Sequence, residues 1–388
     1  QPTTTLLDTH NHLFFLFLIQ QLIPYNLYLF CTSVSPCCQK LGKGAYGIVW
    51  KCIDKKARKT LALKKCFDAF RNATDAQRTY REIQYLQQLA GHPNIVRLRN
   101  VLKAENDRDI YLVFDFMETD LHAVVRANIL EPIHKEYIIY QLIKCLKYMH
   151  SAELIHRDIK PANLLLDSNC LVKVCDFGLC RSVGQVQATS SVLTDYVATR
   201  WYRAPEILLG STCYTKAVDI WSVGCILGEM LLGKPIFPGS STMNQLDKIM
   251  VITGLPTQED IASIKSPFAA TMLDSLPSPK IKKMAEMFPR ADANALDLIK
   301  KCLYFNPSKR ISATDCLSHP YCARFHDKEN EINAPAPISI PIDDNKKYKA
   351  SDYRDKLYTE IKQAKATALA KRRQNAAASS KPAATVKA

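Results

Sequence analysis

Three short blocks of charged and amide side chains decide how this sequence folds. They read HRDIKPAN at residues 156–163, DFG at residues 176–178 and APE at residues 204–206. Chance agreement across three such blocks in this order is remote. The chain has 388 residues, 47% of them hydrophobic and 23% charged, so it can bury a large core around these blocks. We therefore assign them to one folded domain that extends from about Leu41 to Phe325.

A glycine-rich segment precedes these blocks and reads GKGAYGIV at residues 42–49. Glycine spacing alone is a weak signal, because three glycines within six residues also occur in ordinary tight turns. Backbone without a Cβ can lie close over phosphates, which favours a nucleotide site. A dinucleotide-binding βαβ site would need a helix directly after the glycines. Residues 49–53 read as a strand instead, which excludes that alternative.

Lys64 and Glu82 form the next candidate pair. Lys64 ends a buried-strand pattern at residues 61–64, and a charge in that position needs a partner. Glu82 lies on the helix predicted over residues 76–90 and is that partner by position. Taken alone, both residues could equally be ordinary surface charges.

Together these segments resemble the protein kinase family, and the resemblance runs from Leu41 to Phe325. It implies an α+β bilobal fold: a small antiparallel-sheet lobe with one key helix, then a larger, mostly helical lobe. The sequence agrees with that order, because strand patterns dominate before Asp120 and helical patterns after it. The resemblance also implies ATP and Mg²⁺ as cofactors, with serine or threonine as the phosphate acceptor.

Family roles carry over at matching positions. Asp158 is expected to orient the acceptor hydroxyl and Lys160 to steady the γ-phosphate, while Asn163 and Asp176 hold magnesium. Met117 would donate a backbone hydrogen bond to adenine. The positions implied to bind ATP are Leu41, Gly42, Lys43, Gly44, Ala45, Tyr46, Gly47, Val49, Lys64, Glu82, Asp115, Met117 and Asp120. No catalytic position is substituted, so an active enzyme is expected; a nucleotide-binding scaffold with little turnover is the alternative.

Residues 193–203 read LTDYVATRWYR and resemble the dual-phosphorylation lip of mitogen-activated protein kinases. Thr194 and Tyr196 are the implied phosphorylation sites, and each phosphate would bring about two negative charges. Five arginines are expected to receive these phosphates. They are Arg81, Arg157 and Arg181 for Thr194, and Arg200 and Arg203 for Tyr196.

Finer features place the chain within that family. The segments at residues 103–110, 117–122 and 226–230 resemble the atypical extracellular signal-regulated kinase 7/8, or MAP kinase 15, subfamily. This resemblance implies a proline-directed enzyme that phosphorylates its own lip, with Ser-Pro or Thr-Pro protein substrates. We expect a monomer inside the cell, in the cytoplasm, the nucleus or both.

Structural ties of the family also match this sequence. Glu206 is expected to pair with Arg310, and Asp219 to hold the backbone of the catalytic loop. Neither of these two contacts takes part in the chemistry.

The acidic docking patch of the family is matched only in part, by Asp327, Glu329 and Glu331, so docking of basic partner motifs is doubtful.

The two ends of the chain differ in composition from the domain between them. We divide the sequence into an uncertain hydrophobic extension (1–40), a small lobe (41–117), a large lobe (118–325), an extension that packs on or near the core (326–361) and a basic low-complexity tail (362–388). The first segment is a gene-model artefact, a docking or anchoring extension, or a cleaved or spanning segment; only a genuine extension would imply a membrane. Within it, Pro36 disfavours the strand that the family carries before the glycines.

Charge and cysteine usage exclude other classes. Residues 346–388 hold 12 basic and 3 acidic side chains, so +9 of the net charge of +15 lies in this tail. We therefore expect no nucleic-acid partner. The 14 cysteines are scattered, without a C-x-x-C pair, which favours a reduced intracellular protein.

Tyr358 and Ile361 fit a short strand-addition motif for ubiquitin-like autophagy proteins; the alternative is that this segment is a helix that simply packs on the core.

Overall fold

The computed structural model describes residues 39–44, 47–55, 57–183, 199–211 and 213–379. Two compact units appear in this part of the chain. The first contains the described residues up to Tyr80, the segment Arg99–Phe114 and the chain from Lys347 onward. The second contains Arg81–Leu98 and Asp115–Lys346. Both units are assembled from segments that are distant in sequence.

A five-stranded sheet forms most of the first unit. Its strands are β1 (Gln39–Gly44), β2 (Gly47–Asp54), β3 (Lys59–Cys66), β4 (Leu98–Lys103) and β5 (Ile110–Asp115), in the order β1-β2-β3-β5-β4. The pairs β1–β2 and β2–β3 are antiparallel, and Val49 lies opposite both Gly42 and Lys64. One face is apolar because Cys52, Leu61 and Val113 point into a shared core. The predicted sheet-rich lobe is thus present.

A long C-terminal helix, α12 (Ala350–Ser379), belongs to the same unit. Its first turns are anchored by Tyr353 and Leu357, both fully buried. The Tyr353 ring lies 5.9 Å from that of Tyr80, and the Tyr80 hydroxyl donates to Glu360 at 3.0 Å. The helix continues past residue 361, where the sequence predicted a change to a low-complexity tail. That domain boundary stays a prediction.

Helices dominate the second unit. Helix α1 (Ala73–Gln88) starts in the first unit and ends in this one. The helices that follow are α2 (Leu121–Ala127), α3 (Pro132–Ser151), α4 (Pro205–Leu208), α5 (Ala217–Leu232), α6 (Thr242–Thr253), α7 (Gln258–Ser263), α8 (Ala269–Asp274), α9 (Met284–Met287), α10 (Ala293–Cys302) and α11 (Ala313–Leu317). The short strands are β6 (Thr119–Asp120), β7 (Leu154–Ile155), β8 (Leu164–Leu166), β9 (Val172–Val174) and β10 (Arg181–Ser182).

Helix α5 is the centre of the second unit. Almost all of its side chains are buried, and Trp221 stacks on Phe237 with ring centroids 5.8 Å apart. Helix α10 packs closely against it at Gly224, where an added Cβ would come within 2.8 Å of the Cys302 Cβ. A helix buried all round gives a rigid base on which functional loops can be fixed. Two such loops follow β7 and β9.

The element predictions hold to within a few residues. The strands predicted at residues 49–53 and 61–64 lie within β2 and β3, and the helix predicted over residues 76–90 is α1. The hydrophobic segment at residues 6–30 lies outside the described residues. Within the described residues, no helix is long and apolar enough to cross a membrane.

Candidate active site

The loop after β7 brings three predicted catalytic side chains together. The Lys160 Nζ atom donates to Asp158 Oδ2 at 2.6 Å. The side-chain amide of Asn163 donates to the same oxygen at 3.1 Å and to the Asp158 backbone carbonyl at 2.8 Å. Asp158 is 10% exposed and Lys160 19%, so both keep limited access to solvent. The carboxylate is held in one orientation and still open on one side.

Asp219, on α5, fixes the backbone of this loop, as the sequence predicted. Its carboxylate accepts the backbone amides of His156 and Arg157, each at 2.9 Å, and lies 3.0 Å from His150 Nε2. Burial alone would raise the pKa of Asp219, but the hydrogen bond from His150 and the neighbouring His156 keep that pKa below its ordinary value. Asp219 is therefore a buried carboxylate that anchors the loop.

His156 links this loop to the DFG segment. Its Nε2 atom lies 3.1 Å from the Cys175 carbonyl oxygen, which can only accept, while its Nδ1 accepts the Asp158 amide at 3.3 Å. Both contacts fit the neutral ring with the proton on Nε2. Asp176, the next residue, adopts a left-handed backbone with φ of 62°. Such a conformation in a non-glycine residue is costly, and it is held here by the surrounding bonds.

The donor set fits magnesium. Asn163 uses its amide nitrogen on Asp158, which leaves its carbonyl oxygen to meet a cation, and Asp176 adds a carboxylate. Within the described ranges, no group of three or more His, Cys, Asp or Glu could hold a metal ion. Magnesium often takes only one or two protein oxygens and completes its shell with phosphates and water. Asn163 and Asp176 would hold it in that way.

Three further positions predicted to bind ATP, Asp115, Met117 and Asp120, lie in and after β5. Phe114 and Met117 are buried, at 8% and 9% exposure, and Asp115 is half-buried. Asp120 caps helix α2, because its Oδ1 accepts the Ala123 amide at 2.9 Å. The sequence did not predict this capping role. It fixes the carboxylate at the start of the helix.

In the first unit, Leu41, Lys43 and the glycines of β1 are exposed. A Cβ added to Gly42 or Gly44 would meet no atom within 4 Å, whereas one added to Gly47 would clash with the Lys65 carbonyl oxygen. Gly47 is thus required by strand packing. Ala45 and Tyr46 lie outside the described residues.

The predicted Lys64–Glu82 pair falls in two different units. Lys64 lies on β3, half-buried, and Glu82 lies on α1, 6% exposed. Because the two residues belong to different units, the pairing of Lys64 with Glu82 stays a prediction.

The phosphate-receiving arginines are brought together in part. Arg81 and Arg181 both bind Asp344, a residue that the sequence reasoning did not single out. Arg157 donates to the Leu179 carbonyl oxygen at 3.3 Å and lies over the Tyr214 ring. No sequence signal points to Asp344, because it lies more than 160 residues beyond Arg181.

Arg200 and Arg203 form a turn in which the Arg203 amide donates to the Arg200 carbonyl oxygen at 3.1 Å. Arg200 also donates from Nη1 to the Ser240 carbonyl oxygen at 3.0 Å. Thr194 and Tyr196 lie outside the described residues, so their phosphorylation stays a prediction.

The structural pair of Glu206 and Arg310 is present and buried. Arg310 donates to the two carboxylate oxygens at 2.6 and 2.7 Å. This geometry is the bidentate one that guanidinium and carboxylate groups favour.

Much of the acidic docking patch is used internally. Glu331 is 3% exposed and accepts from His326 at 2.7 Å and from the Asp327 amide at 3.0 Å. Asp327 in turn accepts from the Asn330 side chain at 2.6 Å. Glu329 is exposed. These bonds reduce what the patch offers to a basic partner.

Tyr358 lies within helix α12, where its ring packs 5.8 Å from that of Phe70 and beneath Lys103. A strand-addition motif would need this segment to be extended. The geometry favours the helix-packing alternative, and the autophagy partner stays a prediction.

Comparisons with known proteins agree with this geometry. Residues 37–322 match the family model of the protein kinase domain. The chain is 63% identical over 326 residues to extracellular signal-regulated kinase 2 of Dictyostelium discoideum, covering 83% of this chain and 88% of that protein. It is 57% identical over 327 residues to mitogen-activated protein kinase 15 of Xenopus laevis, and 47% identical over 329 residues to extracellular signal-regulated kinase 7 of Drosophila melanogaster. These last two matches span 83% and 82% of this chain, but only 56% and 36% of the length of the two relatives.

Proposed function

This chain belongs to the protein kinase family and, within it, to the mitogen-activated serine/threonine kinases most like the MAP kinase 15 subfamily. We propose that it is a proline-directed kinase that is activated by phosphorylation of the lip at residues 193–203. Ser-Pro and Thr-Pro proteins are its proposed substrates. Phosphorylation of Thr194 and Tyr196 is the proposed activating event, carried out by the chain itself. We further propose that it acts inside the cell as a monomer.

The geometry of the catalytic loop is the observation that carries the proposal. One carboxylate, Asp158, is bonded by Lys160 and Asn163 and fixed from behind by the Asp219 anchor. Positioning and charge stabilisation provide most of the acceleration in phosphoryl transfer, and no covalent intermediate is needed. A nucleotide-binding scaffold would not need this arrangement.

Each residue then has a defined task. Asp158 accepts a hydrogen bond from the acceptor hydroxyl and orients its oxygen, while Lys160 places a positive charge beside the reacting phosphate. Protein kinases use ATP and Mg²⁺, and the bound cation supplies charge neutralisation on the phosphates. Asn163 and Asp176 offer the oxygen atoms that would hold it.

The lip proposal rests on charge. Arg81 and Arg181 share the Asp344 carboxylate in the second unit, where the positive charge of Arg157 also acts on Arg181, and Arg200 and Arg203 share a turn. Phosphate groups bind such arginines through charge-assisted hydrogen bonds. The bonds that Asp327 and Glu331 make internally support substrates that do not depend on the acidic docking patch.

Phosphate transfer from labelled ATP to a Ser-Pro peptide tests the function. We expect wild-type chain to phosphorylate this peptide faster than the matched Ser-Ala peptide, and Asp158→Asn to lower kcat by about 10²- to 10⁴-fold. The melting temperature should stay close to that of wild type, since the substitution preserves shape at a partly exposed site. Equal transfer by wild type and Asp158→Asn would favour the scaffold alternative.

Self-activation needs a separate measurement. The wild-type chain and the Asp158→Asn control are expressed in separate bacterial cultures, and mass spectrometry measures phosphorylation of Thr194 and Tyr196 in each protein. We expect phosphate on these residues only in the wild-type chain. Absence of both phosphates from an otherwise active chain would contradict the self-activation proposal and leave the kinase proposal standing.

A further inference from the structure

Asp344 places a carboxylate inside the group of arginines predicted to receive the lip phosphate. Arg81 donates from Nε to both carboxylate oxygens, at 2.7 and 2.9 Å. Arg181 has its Nε atom 3.5 Å from Oδ2 and donates from Nη2 to the Asp344 backbone carbonyl at 3.3 Å. Asp344 has no exposed surface. A fully buried carboxylate therefore joins helix α1 to strand β10, which holds Arg181.

The group keeps an excess of positive charge. One carboxylate faces two guanidinium groups, and both arginines are less than one-tenth exposed. Burial, followed by the positive charge of Arg81, lowers the pKa of Arg181 to about 10, and Arg157 acts in the same direction. Arg181 nevertheless stays charged at neutral pH. Asp344 thus offsets only part of the local charge.

The group also keeps unused hydrogen-bond donors. Arg81 Nη2 and Arg181 Nε are buried and donate to no acceptor in the described structure. Leaving a buried donor without an acceptor is costly, and more so when the donor is charged. A second anion with several oxygens, such as a phosphate monoester, would satisfy both the charge and these donors.

We propose that Asp344 is a positioning residue, whose carboxylate holds Arg81 and Arg181 together until a phosphate on residue 194 takes over that task. This inference rests on the proposed function. Arg81 directly precedes Glu82, and Arg181 follows Asp176 by five residues. Holding the two arginines together therefore steadies the segments that carry a predicted ATP-binding residue and a predicted magnesium ligand. Asp344 itself touches neither substrate nor cofactor.

Four full-length proteins test this inference: the chain with Asp344 and the Asp344→Asn variant, each carrying either Thr194→Val, which cannot accept a phosphate, or phosphothreonine installed at position 194 during translation. Without the phosphate, we expect Asp344→Asn to lower kcat/KM by about 10- to 100-fold, mainly through kcat. With the phosphate, we expect a loss of less than about 3-fold, because the phosphate supplies the missing anion. A residue that only supports the fold would give the same loss in both states.

Thermal unfolding of the same four proteins, made with Asp158→Asn to prevent self-phosphorylation, gives a second readout. We expect phosphothreonine to raise the melting temperature of Asp344→Asn more than that of the chain with Asp344. Additive effects of the two changes would overturn the proposal.

Asp343→Asn is the matched control, because Asp343 is the exposed neighbour and its side chain accepts only the nearby Asn345 amide among the bonds described. We expect it to change neither readout. Asp344→Glu keeps the charge and should recover part of the activity of the unphosphorylated chain. If Asp344→Asn does not fold, Asp344→Glu decides: a loss confined to the unphosphorylated chain supports the proposal, and an equal loss in both states overturns it.

Two further outcomes are informative. Higher activity of unphosphorylated Asp344→Asn than of wild type would show that Asp344 restrains the enzyme, and would overturn the proposal. Wild-type activity no greater than that of Asp158→Asn would instead contradict the proposed function itself.

Discussion

Two buried arginine–carboxylate clusters in the second unit differ in how fully their donors are used. Arg310 spends all five of its N–H groups: two on Glu206, and three on the carbonyl oxygens of Tyr304, Ala217 and Phe305. Its guanidinium also lies over the Trp221 ring. In the second cluster, Arg81 and Arg181 share one carboxylate, and each has a buried nitrogen that finds no acceptor among the described residues.

The difference separates a structural pair from a site that can accept a ligand. A saturated guanidinium offers nothing to a further anion, so Glu206 and Arg310 act on stability alone. In an unsaturated cluster, a second anion can accept the unused N–H groups. The contribution of Asp344 to activity and stability should then depend on phosphorylation. Variants of the two clusters should therefore respond differently to the same modification.

Loss of the Glu206 charge should have the largest effect on stability. Glu206→Gln keeps the shape but leaves the buried Arg310 without its counter-ion, so we expect a loss of about 3–5 kcal/mol in the free energy of unfolding. Urea unfolding measures it. Unlike the effect of Asp344→Asn, this loss should be the same with and without phosphothreonine at position 194. A loss that depends on the phosphate would remove the distinction between the clusters.

His92 extends the comparison to a buried group that forms no ion pair with any residue the structure describes. Burial, with smaller effects from Lys144 and Lys173, lowers the pKa of its imidazole to about 4. The unfolded chain therefore takes up a proton near pH 6.5, while the folded chain resists it down to about pH 4. Stability from this residue is present above pH 6.5 and is lost as the pH falls, on the order of 2–3 kcal/mol by pH 4.

Replacing His92 by glutamine should flatten this part of the pH profile. The glutamine side-chain oxygen can accept the Asn94 amide, which His92 Nδ1 accepts now at 3.1 Å, and it does not titrate. Urea unfolding between pH 7 and pH 4 compares the two proteins. An unchanged acid slope would show that His92 is not the group responsible.

The smallest effect is expected at the surface. Glu136→Gln is the same chemical change as Glu206→Gln, but the partner, Arg324, is 61% exposed and lies 3.1 Å away. Water compensates both charges there, so we expect a loss below about 1 kcal/mol in the same unfolding experiment. A loss equal to that of Glu206→Gln would mean that burial is not what distinguishes these pairs.

Much of the site could be predicted because its residues are close in sequence. Asp158, Lys160 and Asn163 fall within six positions of one motif, and their roles were predicted from the family resemblance at those positions. The glycine segment and the strand and helix periods also depend on local sequence. The anchoring role of Asp219 was predicted only through family resemblance, since it lies about 60 residues from the loop that it holds.

Other features could not be read from the sequence. Helix α12 is anchored at its start by Tyr353 and Leu357, whose packing partners are far away in sequence, whereas the sequence predicted an extension followed by a low-complexity tail. The caps and contacts of Asp120, Glu331 and Tyr358 likewise depend on neighbours that come together only in the folded chain.

The sequence by itself determined the family, the order of sheet and helices, and the candidate catalytic residues, because these are carried by short motifs and by hydrophobic periods. Only the tertiary structure decided which buried charges are fully compensated. Compensation is a count of donors and acceptors within about 3.5 Å of one another. Arg81, Arg181 and Asp344 reach that distance only after a chain of more than 260 residues has folded back on itself.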